Sequence, residues 1–410
     1  PYTAVQRCLS LNHSKKIHLI AFGKASCAMA RAALDVIPVE QLAGQGIVVT
    51  NDENVSSVEY CEVIGAGHPL PNADGFHAAQ KIADKVKRAT ADELILVLIS
   101  GGGSALLPCP VKRINLDDKI TTTQLLLSSG ATINQINCVR KHLSQLKGGG
   151  LAKLAYPAQV HAIILSDVLG DDLSSIASGC TVPDNTTYQD ALNVLNPVWH
   201  RVPKSVQKHL LAGVEGLIAE TPKDNDSIFK HTSHQLCASN TVSVQAMQHE
   251  AQRLGYQTQI YSEQLCGIAK DQAEKLARYA ASITVHQPVA LLAGGETTVN
   301  VTGSGKGGRN QEFALAFALA AEQESLKNWT LLSGGTDGRD GPTDAAGGLV
   351  DEYTLQRIQE QNLDPKALLD NNDTYTALKA ANDLLITGAT GTNVADLQIL
   401  LLHPLGDSNV

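Results

Sequence analysis

Three side chains stand where they could handle a transferred charged group: Lys24 in FGKAS, Asp167 in SDVLGDDLSS and Arg309 in GSGKGGRNQE. Each follows a strand-like run and a turn that opens a helix. A lysine at that point adds a full charge to the positive end of the helix dipole, which suits a phosphoryl group, although a lysine at such a turn can equally be a solvated surface residue. Asp167 follows a buried-looking strand and could reach a Mg²⁺ ion or a substrate hydroxyl, with Asp171 as a second metal-ligand candidate. Asp171 and Asp172 can equally cap the helix that follows.

Arg309 comes just after a pattern with two competing meanings. Gly303, Gly305 and Gly308 satisfy G-x-G-x-x-G between a strand-like VNVT and a helix-like run. A dinucleotide site also needs an acid about 20 residues later at the end of the next strand. Glu322 and Glu324 fall at that distance but in the helix or its turn, and Asp337 lies too far on. A Walker loop fails as well, because Lys306 is followed by Gly307 rather than Ser or Thr. What remains is a glycine loop, with Gly305, Gly307 and Gly308, that carries Lys306 and then Arg309 at a helix start, with Asn310 and Glu312 in the first turn: an anion site of open type.

Three further segments, LVLISGGGS, ALLAGGETT and TLLSGGTDG, read as strands running out into Gly-Gly and a small or polar residue. Glycine there lets backbone amides approach phosphate oxygens, so Gly101, Gly102, Gly103, Ser104, Glu296 and Asp337 become candidate substrate or nucleotide contacts; each pair can also simply turn the chain. VRKHLSQLKGGG places Arg140, Ser144 and Lys147 on one helical face, able to offer cations to a carboxylate or phosphate or to form a solvated face. His142 and His68, in GAGHPLPN, read as structural. Ser104 lacks G-x-S-x-G and an evident His partner, which argues against a serine hydrolase. SGGTDGRDGPTDAAGG reads as a ligand loop without the order of a calcium-binding loop.

The elements that must position these groups follow from composition. The 410 residues exceed one ordinary core, and 43% hydrophobic with 4% aromatic points to cores of Leu, Ile, Val and Ala. Near-continuous apolar strands alternate with helical runs, as in IHLIAFGKASCAMARAALDV, which indicates α/β architecture with parallel sheets covered on both faces. Between Asn196 and His234 the texture turns proline-rich and polar, so the domain boundary is expected near Ser227, giving domains 1–226 and 227–410. A net charge of −9 without a basic block argues against nucleic-acid partners. No apolar run reaches the roughly 20 residues of a membrane span and no secretory leader opens the chain, so a cytoplasmic location is expected. The eight scattered cysteines suggest neither a zinc site nor a disulfide framework.

Taken in order, FGKAS, GHPLPNADG, LISGGGSALL, INCVRKHLSQLKGGGLA, SDVLGDDLSSIASGCTVPD, LLAGGETTVNVTGSGKGGRNQEFALA, LLSGGTDGRDGPTDAAGG and TGATGTNVADL resemble the MOFRL-type (class II) glycerate 2-kinases across nearly the whole chain. The resemblance implies an N-terminal Rossmann-like domain, a C-terminal α/β MOFRL domain and an active site in the cleft between them. It implies transfer of the γ-phosphoryl of ATP to the 2-hydroxyl of D-glycerate with Mg²⁺, and it links catalysis chiefly to Lys24 and Arg309. A homodimer is compatible with it. The sequence departs from the family pattern at Ala389, commonly Pro, and Ala395, commonly Asn, which puts a direct ligand role for position 395 in doubt. The rival readings are an NAD(P)H-dependent hydroxypyruvate reductase and a non-catalytic nucleotide or sugar-phosphate sensing module.

Overall fold

A computed structural model describes residues 1–9, 15–168 and 170–404. The chain divides into two compact units, Pro1–Cys237 and Ala238–Val410. The division falls downstream of the expected 226/227 because the polar stretch TSHQLCA forms a strand, Thr232–Ala238, that adds to the first sheet.

In the first unit six strands are ordered β3-β2-β1-β4-β5-β6. They are β1 (Ile17–Phe22), β2 (Gly46–Asn51), β3 (Cys61–Ala66), β4 (Leu94–Ile99), β5 (Gln159–Leu165) and β6 (Thr232–Ala238). β1 pairs in parallel with β2 and β4, β2 with β3, and β4 with β5. Every residue of β1 is buried, as a strand covered on both faces requires. This is the doubly wound order in which the strand order reverses between the first and fourth strands, and ligands of such sheets sit beyond the carboxyl ends at that switch point. The FGKAS and SGGGS turns leave the sheet there.

The second unit carries β7 (Gln257–Ile268), β8 (Val289–Thr298), β9 (Trp329–Gly335), β10 (Gly347–Asp351), β11 (Leu384–Leu385) and β12 (Asp396–Leu402), ordered β11-β10-β9-β12-β8-β7. Its only parallel pairing among the described strands is β7 with β8; β12 runs antiparallel to both β8 and β9, and β10 antiparallel to β9 and β11. The second sheet is therefore mixed rather than parallel. The Arg309–Gln323 helix is almost wholly buried, with Phe313, Leu315 and Phe317 fully enclosed, and it packs in the main core of this unit. Its first turn is consequently fixed in position, which matters for Arg309.

Candidate functional site

In the first unit the site grows from the close approach of the β1 and β4 ends. Gly23 has φ 121°, and a side chain there would stand 2.4 Å from the Ser100 carbonyl oxygen, so only glycine allows this turn. The Lys24 amide donates to the Gly101 carbonyl at 2.9 Å, and the Ala25 amide to Ser100 Oγ at 3.0 Å. Gly102, with φ 83°, turns the chain into the short Gly103–Leu106 helix. The point where Gly102 would bear a side chain lies 3.0 Å from His68 Cδ2 and 3.5 Å from Lys24 Cγ. The equivalent point at Gly101 lies 2.2 Å from Asp167 Oδ2. Lys24, His68 and Asp167 thus gather over one glycine loop.

Their electrostatics follow from burial. Desolvation raises the Asp167 carboxyl above the ordinary range, while its own backbone amide and Lys24 pull it back. Burial, then the Lys24 charge, lowers the His68 imidazole, so it is neutral at pH 7. Lys24 forms no ion pair among the described residues, which leaves its ammonium available to an anion.

Beside this loop lies a cavity of about 420 Å³ lined by Gly102, Gly103, Ser104, Asn137, Arg140 and Asp167, among others. Asn137 and Arg140 come from the Ile133–His142 helix, which starts in a capping box of Thr132 and Gln135. Such a cap contributes roughly 1 kcal/mol and fixes the helix start. Three residues apart, the two side chains share one helical face. Arg140 has no ion pair among the described residues, and burial lowers its pKa. Ser104 Oγ lies 2.7 Å from Ser178 Oγ, which donates to Asn137 Oδ1 at 3.1 Å. Ala177 and Ser178 hold φ of 49° and 58°, a region that costs a non-glycine residue about 1–2 kcal/mol. Backbone strain of this kind concentrates at functional sites.

In the second unit the site centres on Arg309. Its Nε donates to Asp396 Oδ2 at 2.6 Å and its Nη2 to Asp396 Oδ1 at 2.9 Å, and Glu296 Oε1 stands 3.3 Å from Nη2. The Asp396 side chain is fully buried, whereas that of Arg309 is 31% exposed. Burial alone would lower the guanidinium pKa, but Asp396 and then Glu296 outweigh it and raise it. Asp396 opens β12 and is flanked in register by Gly295 of β8 and Gly335 of β9. Asp337 Oδ1 and Asp396 Oδ1 lie 3.3 and 3.5 Å from where Gly335 would carry a side chain, so glycine there keeps this acidic corner open.

Residues 1–211 match the domain of unknown function DUF4147, and residues 289–396 match the MOFRL family. A glycerate 2-kinase of Pyrococcus horikoshii is 40% identical over 98% of this chain and 93% of its own length. The solved structure of a glycerate kinase from Thermotoga maritima superposes with a TM-score of 0.90 at 38% identity, covering 98% of this chain and 95% of that one. An Agrobacterium vitis protein provisionally named a hydroxypyruvate reductase is 40% identical over 94% of this chain and 86% of its own length. The chain belongs to the glycerate kinase family.

Within this glycerate kinase fold several sequence candidates take roles other than those expected. Lys147 is 1% exposed, and its Nζ donates to the Ser104 carbonyl at 3.0 Å; it holds the glycine loop from behind and does not offer its charge to the 420 Å³ cavity. Asp171 sits in a turn at φ 54° and does not line that cavity; Asp172 does, but its carboxylate accepts from the Ser174 amide and both the Ser174 and Ser175 hydroxyls. No group of three or more metal-ligating side chains occurs among the described residues.

The GSGKGG loop also differs from expectation. The amides of Gly303, Ser304, Gly305 and Lys306 are taken by Asn372, Asn371 and Asp373, so Gly305 does not present a free amide to phosphate. The point where Gly307 would bear a side chain is 2.1 Å from Thr374 Oγ1, which makes it a packing glycine. Lys306 Nζ rests 4.4 Å from the centre of the Tyr375 ring. At the helix start, where an anion was expected, Asp340 already accepts from the Asn310 amide at 3.1 Å and the Gln311 amide at 2.8 Å. A side chain at Gly308 would meet Asp340 Cγ at 2.3 Å, and Asn310 is fully buried, bonded to Ser333. Gly308 and Asn310, both buried, frame Arg309 and do not face a ligand themselves.

Of the three Gly-Gly segments, those of β8 and β9 lie inside their strands, paired in the ladder to β12, while that of β4 forms a loop beyond the strand end. Ala395 adopts φ 63°, where Asn is favoured, and its carbonyl accepts from the Thr336 amide and hydroxyl. The backbone thus accounts for an Asn preference at this position without any ligand. Sequence reading missed His68, Asn137 and Asp396 as site residues. The i, i+3 spacing of Asn137 and Arg140 could have found the second, and an acid opening the apolar strand DLQILLL could have found the third.

Proposed function

We propose that the protein is an ATP-dependent glycerate 2-kinase that moves the γ-phosphoryl of ATP to the 2-hydroxyl of D-glycerate. Carrying this reading is an unpaired lysine, Lys24, seated at the switch point over the Gly101–Ser104 loop in a chain of the glycerate kinase family. Phosphoryl transfer asks little covalent chemistry of a protein; it asks for positioning and for cations where the transition state spreads negative charge.

Lys24 supplies such a cation, and Arg140 supplies a second on the cavity wall. In the second unit Arg309, aimed by Asp396, is the candidate cation. Asp167, its basicity raised by burial, accepts the proton of the 2-hydroxyl as that oxygen bonds to the γ-phosphorus and the bond to the bridging oxygen of ADP breaks. The Asp167 carboxylate also suits Mg²⁺, a hard ion that commonly takes one or two carboxylates together with substrate phosphates and water. When bound, that ion neutralises phosphate charge. Neutral His68, packed against the glycine loop, adds no repulsion to Lys24.

The test is incubation with ATP, Mg²⁺ and D-glycerate, then enolase without a mutase. Phosphoenolpyruvate forms if the 2-phosphate was made; a product that enolase leaves untouched sinks the regiochemistry, and no ADP sinks the kinase reading. The Agrobacterium relative's name favours a second reading, hydroxypyruvate reduction. NADH oxidation with hydroxypyruvate would establish it. Against it stands the G-x-G-x-x-G loop, whose amides are occupied by residues 371–373.

A further inference from the structure

The first unit has a second, larger cavity of about 920 Å³ that shares no lining residue with the one beside Ser104. The Ile133–His142 helix and the turn after it form the partition: Asn137 and Arg140 face the smaller cavity, Lys141 and His142 the larger. Six cations line the larger one, Lys112, Arg113, Lys141, Lys147, Lys153 and Lys208, against a single carboxylate, Glu220. In a chain of net charge −9 this is a strong local inversion.

Two of the six are committed within the protein. Lys141 pairs with buried Asp184 at 3.4 Å, and Lys147 bonds Ser104. Glu220 is engaged by Lys223 at 3.3 Å and His142 at 3.2 Å. Lys112, Arg113, Lys153 and Lys208 make no ion pair among the described residues and are solvent-exposed at the rim. Four unneutralised cations around one concavity repel each other, a cost that a bound polyanion would remove. Arg113 adds backbone strain: it occupies a turn closed by the Ile114 amide to the Val111 carbonyl and holds φ 74°, where glycine or asparagine is usual.

The floor is built for an organic body. Tyr188 packs edge-on between His142, at 4.7 Å between ring centres, and His209, at 5.5 Å. His142 donates through Nδ1 to the Cys138 carbonyl, and His209 donates to the His142 carbonyl, so both rings are fixed in place. The volume lies at the upper end of the range for small-ligand sites and is about twice that of the cavity beside Ser104.

We propose that this cavity is a second anion site, separate from the phosphoryl-transfer site, that binds a phosphorylated small molecule through Lys112, Arg113, Lys153 and Lys208. The experiment fills the first site with D-glycerate and a non-hydrolysable ATP analogue and then titrates pyrophosphate by calorimetry. The expected result is one further binding event per chain that weakens about tenfold or more in the Lys112→Glu/Lys208→Glu variant. Turnover of ATP and D-glycerate and the melting temperature of that variant should stay at wild-type values. Absence of binding to the filled protein, or equal binding by the variant, overturns the site. Citrate binding more tightly than pyrophosphate overturns the phosphate class. A variant that loses turnover and melts early is replaced by Lys153→Gln, for which the same loss of pyrophosphate affinity is expected and unchanged affinity refutes the site.

Discussion

Asp396→Asn should reveal whether Arg309 works because it is a cation or because it is a cation held in one place. The carboxylate is fully buried and receives both Nε and Nη2 of the guanidinium, at 2.6 and 2.9 Å. Asn keeps the volume and one acceptor, so one charge-assisted bond is lost, worth about 1.5–3 kcal/mol. The Arg309 side chain is 31% exposed, and water recovers part of that loss; the lower end, about 1.5 kcal/mol, is the better figure. Glu296, already 3.3 Å from Nη2, is then the remaining carboxylate partner and draws the guanidinium toward β8. If catalysis depends on placement, kcat falls roughly tenfold, since about 1.4 kcal/mol is a factor of ten, while KM for ATP changes less. The assay is ADP release at saturating ATP and D-glycerate, with the melting temperature followed in parallel. A double-mutant cycle sharpens it: lysine cannot make the two-pronged contact, so in an Arg309→Lys background Asp396→Asn should cost much less. Wild-type kcat in Asp396→Asn, or strict additivity in the cycle, would refute the positioning argument.

Lys24→Ala should lower kcat by about 10²-fold or more at near-unchanged melting temperature, because an unpaired surface-accessible cation contributes to transition-state charge and little to folding; turnover near wild type would remove Lys24 from the mechanism. Gly101→Ala places a methyl where Asp167 Oδ2 now stands, 2.2 Å from the new atom, so the carboxylate must move and kcat should fall while the β4 ladder persists; unchanged kinetics would show that Asp167 is not needed in its present place. Lys147→Met addresses pH. Burial lowers the Lys147 ammonium from 10.5 to about 8, so between those values the unfolded chain binds a proton that the folded chain has released, and stability rises with pH. The rise amounts to roughly 3–4 kcal/mol at most, from about 2.5 pH units at ~1.4 kcal/mol each, and is absent below about pH 8. Denaturant melts should show wild type gaining on Lys147→Met across that window; parallel curves would contradict it.

The legible parts of this chain are those in which one short segment carries its own constraint. An apolar run ending in Phe22-Gly23-Lys24 is a buried strand meeting a tight turn wherever it occurs, and the Rossmann-like order of the first sheet follows from several such units in series. Strand direction in the second sheet was not legible, because the apolar runs of β8 and β9 read alike whether β12 runs with them or against them. TSHQLCA is polar enough to pass for a linker, and only its place beside β5 in the first sheet makes it a strand. Among the candidate residues, Lys24 and Asp167 were visible next to strand ends; Asp396 showed only as an acid opening an apolar strand, and its pairing with Arg309, 87 residues away, was not legible.

The GSGKGG loop marks the limit most clearly. Glycines tell that backbone can come close to something, and the sequence alone leaves open whether that something is a phosphate or another part of the chain. Here Asn371, Asn372 and Asp373 reach the amides first, and Asp340 takes the helix start. The anion that the dipole of the Arg309–Gln323 helix favours is therefore a side chain of the protein itself. Arg309 remains the candidate cation because its guanidinium extends past this closed shell to Asp396 and Glu296, where a carboxylate pair aims it while leaving about a third of its surface to solvent.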